Sequence, residues 1–147
     1  MINSSFEVKT AEQSSGFLLW QVTTLWQREI KTALDEIELS HSGFVILASL
    51  LWFKEKDIEV TQTTIIEHTK LDKMTVSKNL KSLATNKFVI RTENLNDTRA
   101  KTIVLTKEGI DLAIRAVKTV EKIDKKFFSK LTKENQNMLN SFFLKLI

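Results

Sequence analysis

The stretch DKMTVSKNLKSLATNKFVIRTENLNDTRAKTIVLT, residues 72–106, begins like a helix, passes into two short alternating runs, and holds a polar, charged loop between them. Asp72 is a capping residue, and Val76, Leu80 and Leu83 follow at steps of four and three, which points one apolar stripe inward. The other face carries Lys73, Thr75, Ser77, Lys78, Lys81 and Ser82. Residues 88–92 and 102–106 are rich in β-branched side chains and read as a hairpin. The connection between them contains no Gly, which argues against a tight two-residue turn.

On the N-terminal side, Thr61 caps a short helix running to about His68, with Ile65 and Ile66 as its buried face. Val60, just before it, adds a residue or two of strand. Ser40 caps a helix over 41–53 in which Phe44, Val45, Leu47, Ala48, Leu50, Leu51 and Trp52 are apolar almost all round, the pattern of a central, buried helix. From about 12 to 37, Leu18, Val22, Trp26, Ile30, Ala33 and Ile37 paint one helical face. Leu19, Trp20, Leu25 and Leu34 widen that stripe, so this helix is expected to pack on two sides. On the C-terminal side, Thr106 caps a helix with Glu108 in its first turn and Ile110, Ala113, Val117, Val120, Ile123 and Phe127 as its stripe. Thr132 opens a last helix rich in Phe and Leu.

Short helix, four-residue turn, second helix and hairpin follow in the order of a winged helix-turn-helix. The expected fold is therefore mainly α with a small β-hairpin wing, in a single domain over 1–147. Its winged helix-turn-helix occupies about 40–106, and flanking helices about 10–37 and 107–147.

Composition agrees. At 147 residues the chain suits one domain, and 42% hydrophobic residues, nine Phe and three Trp among them, promise a real core. There is no Pro and only three Gly, so long helices with short joins are expected. The absence of Cys excludes disulfides, thiol catalysis, thiol redox sensing and cysteine-ligated metal. No secretory signal is visible and the apolar runs are too short to span a bilayer, so no membrane partner is expected and a cytoplasmic location is.

Charge is distributed unevenly. Between Lys70 and Lys101, eight positive side chains face Asp72, Glu93 and Asp97, an excess of +5 in a chain whose total is +4. That block asks for an anionic partner. A helix offering Lys, Thr and Ser with its N-terminus exposed suits the DNA major groove, its dipole and caps favouring phosphate. Lys73 and Lys78 can reach guanine acceptors or phosphate; Thr75 and Ser77 can take base or backbone; Met74 can touch a thymine methyl. Arg99 and Lys101, in and beyond the hairpin loop, can reach past that groove, and an arginine on a narrow wing can enter the minor groove. Asp97 is placed to orient the Arg99 guanidinium, though an ordinary loop ion pair has the same spacing. Lys81 and Arg91 are assigned to phosphate. An acidic protein would satisfy the same charge, which makes a winged-helix adaptor the rival reading.

The stretch 71–109 resembles the signature of the multiple antibiotic resistance regulator (MarR) family. Thr75-Val76-Ser77-Lys78 stands where the family has its recognition-helix core. Leu83 and Phe88-Val89-Ile90-Arg91 match the entry to the wing, Asp97-Thr98-Arg99 its Asp-Arg-Arg tip, and Leu105-Thr106 with Gly109 its Leu-Thr-x-x-Gly close. Lys70 and Lys87 depart from the family at positions where glycine is usual, and Thr98 replaces a basic residue. The resemblance implies a homodimer with interlocked N- and C-terminal dimerisation helices and two winged modules on a pseudo-palindromic double-stranded operator. It also implies transcriptional control, commonly repression relieved by a small molecule. Carried over from the family, the effector cavity falls on Phe17, Trp20, Trp26, Phe44 and Trp52, side chains able to stack on a small aromatic effector. His41 and His68 lie in different helices with no metal-ligand spacing, so no metal or cofactor is expected, His41 being a first-turn helix residue and His68 an ordinary turn residue. No nucleotide-binding glycine loop or catalytic triad is present, and no enzymatic activity is expected.

Overall fold

The computed structural model describes residues 3–93 and 99–147. Its elements, in order, are α1 (Ser15–Asp35), α2 (His41–Glu55), α3 (Gln62–Thr69), α4 (Lys73–Thr85), β1 (Val89–Glu93), β2 (Lys101–Leu105), α5 (Lys107–Phe127) and α6 (Lys133–Leu144). Short 3-10 turns precede α1 and follow α5. The winged helix-turn-helix is α2–α3–α4–β1–β2.

Each helix after the first starts where a hydroxyl or carboxylate was expected to cap it. Ser40 accepts from the Gly43 N–H at 3.0 Å, Asp72 from Thr75 at 2.8 Å, and Thr132 from Asn135 at 3.1 Å. Thr61 and Thr64 form a reciprocal capping box, each hydroxyl accepting from the other's backbone N–H.

Helix ends are less ordinary. Among the described residues, Glu38, Asp57, Lys70 and Lys87 have positive φ, between 54° and 62°. Three of them close Schellman turns; after α4, the Phe88 N–H bonds the Leu83 carbonyl at 2.9 Å and the Lys87 N–H that of Ala84 at 3.0 Å. A non-glycine residue there costs about 1–2 kcal/mol. This explains the two departures noted at Lys70 and Lys87, since both occupy backbone conformations that glycine adopts freely.

The core is one cluster. Ile46, Leu47 and Leu50 of α2 meet Ile30 and Leu34 of α1, Ile65 of α3, Val76, Leu80 and Leu83 of α4, and Leu112, Ala113, Ala116 and Val120 of α5. The α4 stripe matches the expected one. On α5, Leu112 and Ala116 are buried while Ile110, Val117, Ile123 and Phe127 are only half-buried, so the packed stripe is rotated from the expected line. Trp52 is also a correction: at 55% exposure it lies outside the core, with the Lys56 ammonium 4.8 Å from its ring centre. His68 is no turn residue; it sits in the last turn of α3, edge-on to Phe53 at 4.7 Å.

The strands pair antiparallel from Val89↔Leu105 to Glu93↔Lys101, one residue displaced toward the loop from the expected spans. The shift has a cause at each end. Phe88 closes the Schellman turn, and Thr106 leaves the strand to cap α5, accepting from the Gly109 N–H at 3.0 Å and donating to the Lys87 carbonyl at 2.7 Å. Beyond the pair, the Ile103 N–H donates to the Val60 carbonyl at 2.8 Å and Thr61 bridges Thr102, which is the expected extra strand residue.

Two substitutions test this account. A Cβ on Gly109 would sit 1.9 Å from the Phe88 carbonyl oxygen, a backbone atom that cannot swing away. Gly109→Ala should therefore lower stability by about 1–3 kcal/mol in urea denaturation. Lys87→Gly relaxes a left-handed residue and should raise stability by about 0.5–1 kcal/mol in the same assay. A stabilising Gly109→Ala would refute the close approach.

Candidate nucleic-acid interface

Helix α4 turns Val76, Leu80 and Leu83 to the core, and its other face is open. Lys73, Lys78 and Lys81 are exposed, Met74 is 79% exposed, and Thr75 and Ser77 are half-buried. The α4 residues expected to face DNA therefore stand on one helix, all with some solvent access. Lys70, in the turn before α4, is exposed as well.

The N-terminus of α4 differs from its expected role. The Asp72 carboxylate accepts the Thr75 N–H at 2.8 Å and the Thr75 hydroxyl at 2.7 Å. Those bonds, the backbone one foremost, hold its carboxyl below the usual range, so it is ionised. A carboxylate already occupies the anion position at this helix end, which leaves phosphate attraction to the lysines. Thr75 gives its hydroxyl proton to Asp72, leaving its oxygen as an acceptor.

On the wing, the strand face that begins with buried Val89, Leu105 and Ile103 continues outward through Arg91, Glu93 and Lys101. Arg91 and Lys101 are exposed, and Lys101 stands opposite Glu93. Arg99 is exposed just before β2. Asp97, expected to orient it, lies outside the described residues.

Behind α4 lies a polar contact that the sequence did not reveal. The Asn79 side-chain amide donates to the Ser42 hydroxyl at 3.0 Å and to the Thr75 carbonyl at 2.8 Å, and accepts from the Ser40 hydroxyl at 3.2 Å. Its only visible signal is position: Asn79 borders the buried stripe, one residue from Leu80 and three from Val76. Between those serines, His41 packs edge-on to Trp26 at 5.1 Å and against Phe44 at 6.3 Å. The Trp26 Nε1–H donates to Asp124 of α5 at 2.7 Å. The first turn of α2 is thus gripped by α1 on one side and the recognition helix on the other.

Of the five aromatics assigned to an effector cavity, Trp26 and Phe44 meet about His41. Phe17 and Trp20 lie on the exposed N-terminal part of α1, and Trp52 at the far end of α2. One surface cavity of about 270 Å³ lies between the end of α2 and β2, lined by Leu50, Lys54, Ile58, Val60 and Ile103 among others. A second, of about 360 Å³, lies between α1 and α5 at Arg28, Glu29, Thr32, Ile123 and Lys126. Neither is lined by any of the five. No helix among the described residues is long and apolar enough to cross a membrane.

Residues 35–127 match the family model of the ArnR1-like winged-helix domain. The chain belongs to that family, and its fold is the MarR fold. It is 37% identical over 123 residues to the uncharacterized HTH-type transcriptional regulator YdcH of Bacillus subtilis strain 168, covering 83% of this chain and 84% of that protein. Among solved structures it is similar to Bordetella bronchiseptica BpsR, whose DNA binding is regulated by 6-hydroxynicotinic acid, with TM-score 0.83, 19% identity, and 95% of this chain and 96% of that one covered. It is also similar to a mutant MarR of Escherichia coli complexed with operator DNA, with TM-score 0.77, 20% identity, and 90% and 92% covered.

His41 yields a prediction about pH. Burial lowers its pKa below the ordinary imidazole value, opposed by the nearby Asp124 charge. The unfolded chain therefore takes up this proton before the folded one does, so stability is full above about pH 6.5 and falls as pH drops below it. The thermal midpoint should fall between pH 7.5 and 5.5, and fall less in His41→Gln. An equal fall in both proteins would show that His41 is not the group responsible.

Proposed function

We propose that the protein is a homodimeric, sequence-specific, double-stranded-DNA-binding transcriptional regulator, a cytoplasmic repressor of nearby genes relieved by a small-molecule effector. The observation that carries this is the open face of α4, with Lys73, Met74, Ser77, Lys78 and Lys81 accessible on a helix whose back is locked into the core. Lys73, Met74, Thr75, Ser77 and Lys78 approach bases or backbone in the major groove, and Lys81 and Arg91 meet phosphate. Arg99 and Lys101 serve the wing, with Asp97 as the orienter of Arg99.

Dimerisation is supported by uncovered apolar surface. Leu18, Leu19, Trp20, Val22 and Leu25 of α1 are exposed, as are Phe142, Phe143, Leu146 and Ile147 at the C-terminal end. No residue of α6 is buried. Such faces in water mark an interaction surface, and two-fold pairing would bury both segments. It would also set two recognition helices about one DNA turn, or a multiple of one, apart. Effector relief is supported by the regulation of BpsR by 6-hydroxynicotinic acid. An effector cavity at Trp26 and Phe44 would take in Phe17, Trp20 and Trp52 only through the partner subunit or a change of shape.

The test is selection of genomic fragments with purified protein, then binding of the winning duplex across a salt series. A pseudo-palindrome should emerge, bound by two chains, with log affinity falling linearly as log salt rises. Arg99→Ala should weaken it by about tenfold or more. A folded protein that enriches nothing, with or without candidate aromatic acids, would instead favour a winged-helix adaptor on an acidic protein.

A further inference from the structure

The three bonds of Asn79 use both amide hydrogens and the carbonyl oxygen within the protein. An asparagine on a recognition helix would otherwise suit an adenine edge, which needs that same donor and acceptor together. Here the amide faces backward, into the first turn of α2. Gly43 makes room for it: a Cβ there would lie 2.9 Å from the Ser40 hydroxyl and 3.3 Å from the Asn79 carbonyl oxygen. Both partners are anchored. Ser40 is the N-cap of α2, holding the Gly43 N–H, and His41 between the serines is packed on Trp26, itself bonded to Asp124.

We propose that Asn79 is a positioning residue for DNA recognition: it locks the recognition helix to the first turn of α2 and so fixes the angle at which Lys73, Met74, Ser77 and Lys78 meet the groove. The apolar stripe of α4 cannot do this alone. Val76, Leu80 and Leu83 hold the helix against the core, but apolar contact is not directional and fixes the roll of the helix less sharply than hydrogen bonds do. Two hydrogen bonds across to Ser40 and Ser42, with the amide held in orientation by the Thr75 carbonyl of its own helix, have fixed distances and angles and remove that freedom. The same turn touches α1 and, through Trp26, α5, so a shift of those helices would reach α4 through this contact. The inference rests on the DNA-binding reading above.

The test compares the selected operator with a scrambled duplex of equal length, measuring both affinities and the thermal midpoint. The proteins are wild type, Asn79→Ala, Ser42→Ala, the double variant and Gly43→Ala. Ser42 lies outside the proposed DNA-facing set, and its loss leaves the Ser40 cap in place. Asn79→Ala and Ser42→Ala should each lower the ratio of operator to scrambled affinity by about threefold to tenfold, the range of one hydrogen bond. The double variant should lose little more than Asn79→Ala, because both remove one contact. Scrambled-duplex affinity and its salt dependence should stay as in wild type. Gly43→Ala, whose Cβ crowds the Ser40 hydroxyl and the Asn79 carbonyl oxygen, should lose discrimination.

Loss of discrimination in Asn79→Ala alone, with Ser42→Ala and Gly43→Ala unchanged, would overturn the proposal and mark Asn79 as a direct reader of DNA. An equal fall on both duplexes would overturn it too, as a general weakening of the module. Wild type that prefers no duplex would refute the DNA-binding reading itself, and this inference with it.

Discussion

Everything in the fold depends on the apolar surface that α2 presents around most of its circumference, Trp52 apart. Its apolar residues run nearly all round, so α1, α3, α4, α5 and β2 all pack against it. Burying a large aliphatic side chain is worth about 1.5–3 kcal/mol, and α2 places Ile46, Leu47 and Leu50 at the centre of the one core cluster. Helices α1, α4 and α5 are therefore mounted on a common post.

That post carries polar contacts at its first turn, where α1 and α4 come closest to one another. Ser40 and Ser42 face the recognition helix, and His41 faces α1. An apolar core tolerates small rearrangements, whereas hydrogen bonds of fixed geometry at its edge select among them. The one interior glycine of α2 sits at this point, where a side chain would wedge the two helices apart. The second structurally demanding glycine, Gly109, does the same for α5 and the start of β1. With so few glycines, the chain reserves two for close approach, and among the described residues left-handed positions fall to Glu38, Asp57, Lys70 and Lys87.

The winged module differs from the N-terminal part of α1 and from α6. In the module, apolar stripes find partners within the chain. In α1 the stripe is satisfied only toward its C-terminal end, at Ile30 and Leu34, while Leu18 and Val22 stay uncovered, and α6 buries nothing. The long apolar stripe of α1 was legible in the sequence, as was its excess width. Which part meets its own chain was not, because helical periodicity reports that a face is apolar and never what covers it.

Amino-acid order alone settles whatever depends on neighbours along the chain. Capping residues at Ser40, Thr61, Asp72, Thr106 and Thr132 start their helices because each offers an oxygen to orphan N–H groups. The Val76, Leu80 and Leu83 stripe sets which face of α4 is inward and hence which side chains stay open to solvent. The rest waited for the packed molecule. The register of the wing is set by Phe88 and Thr106 being taken up in turn and cap. The exposure of Trp52 is set by its side of α2, since Leu51 and Phe53 on either side of it pack against the core. The partners of Asn79 lie 37 and 39 residues away in the chain. Spacing along one helix reaches only three or four residues, so a contact between two helices so distant in sequence becomes visible only when the core brings them together.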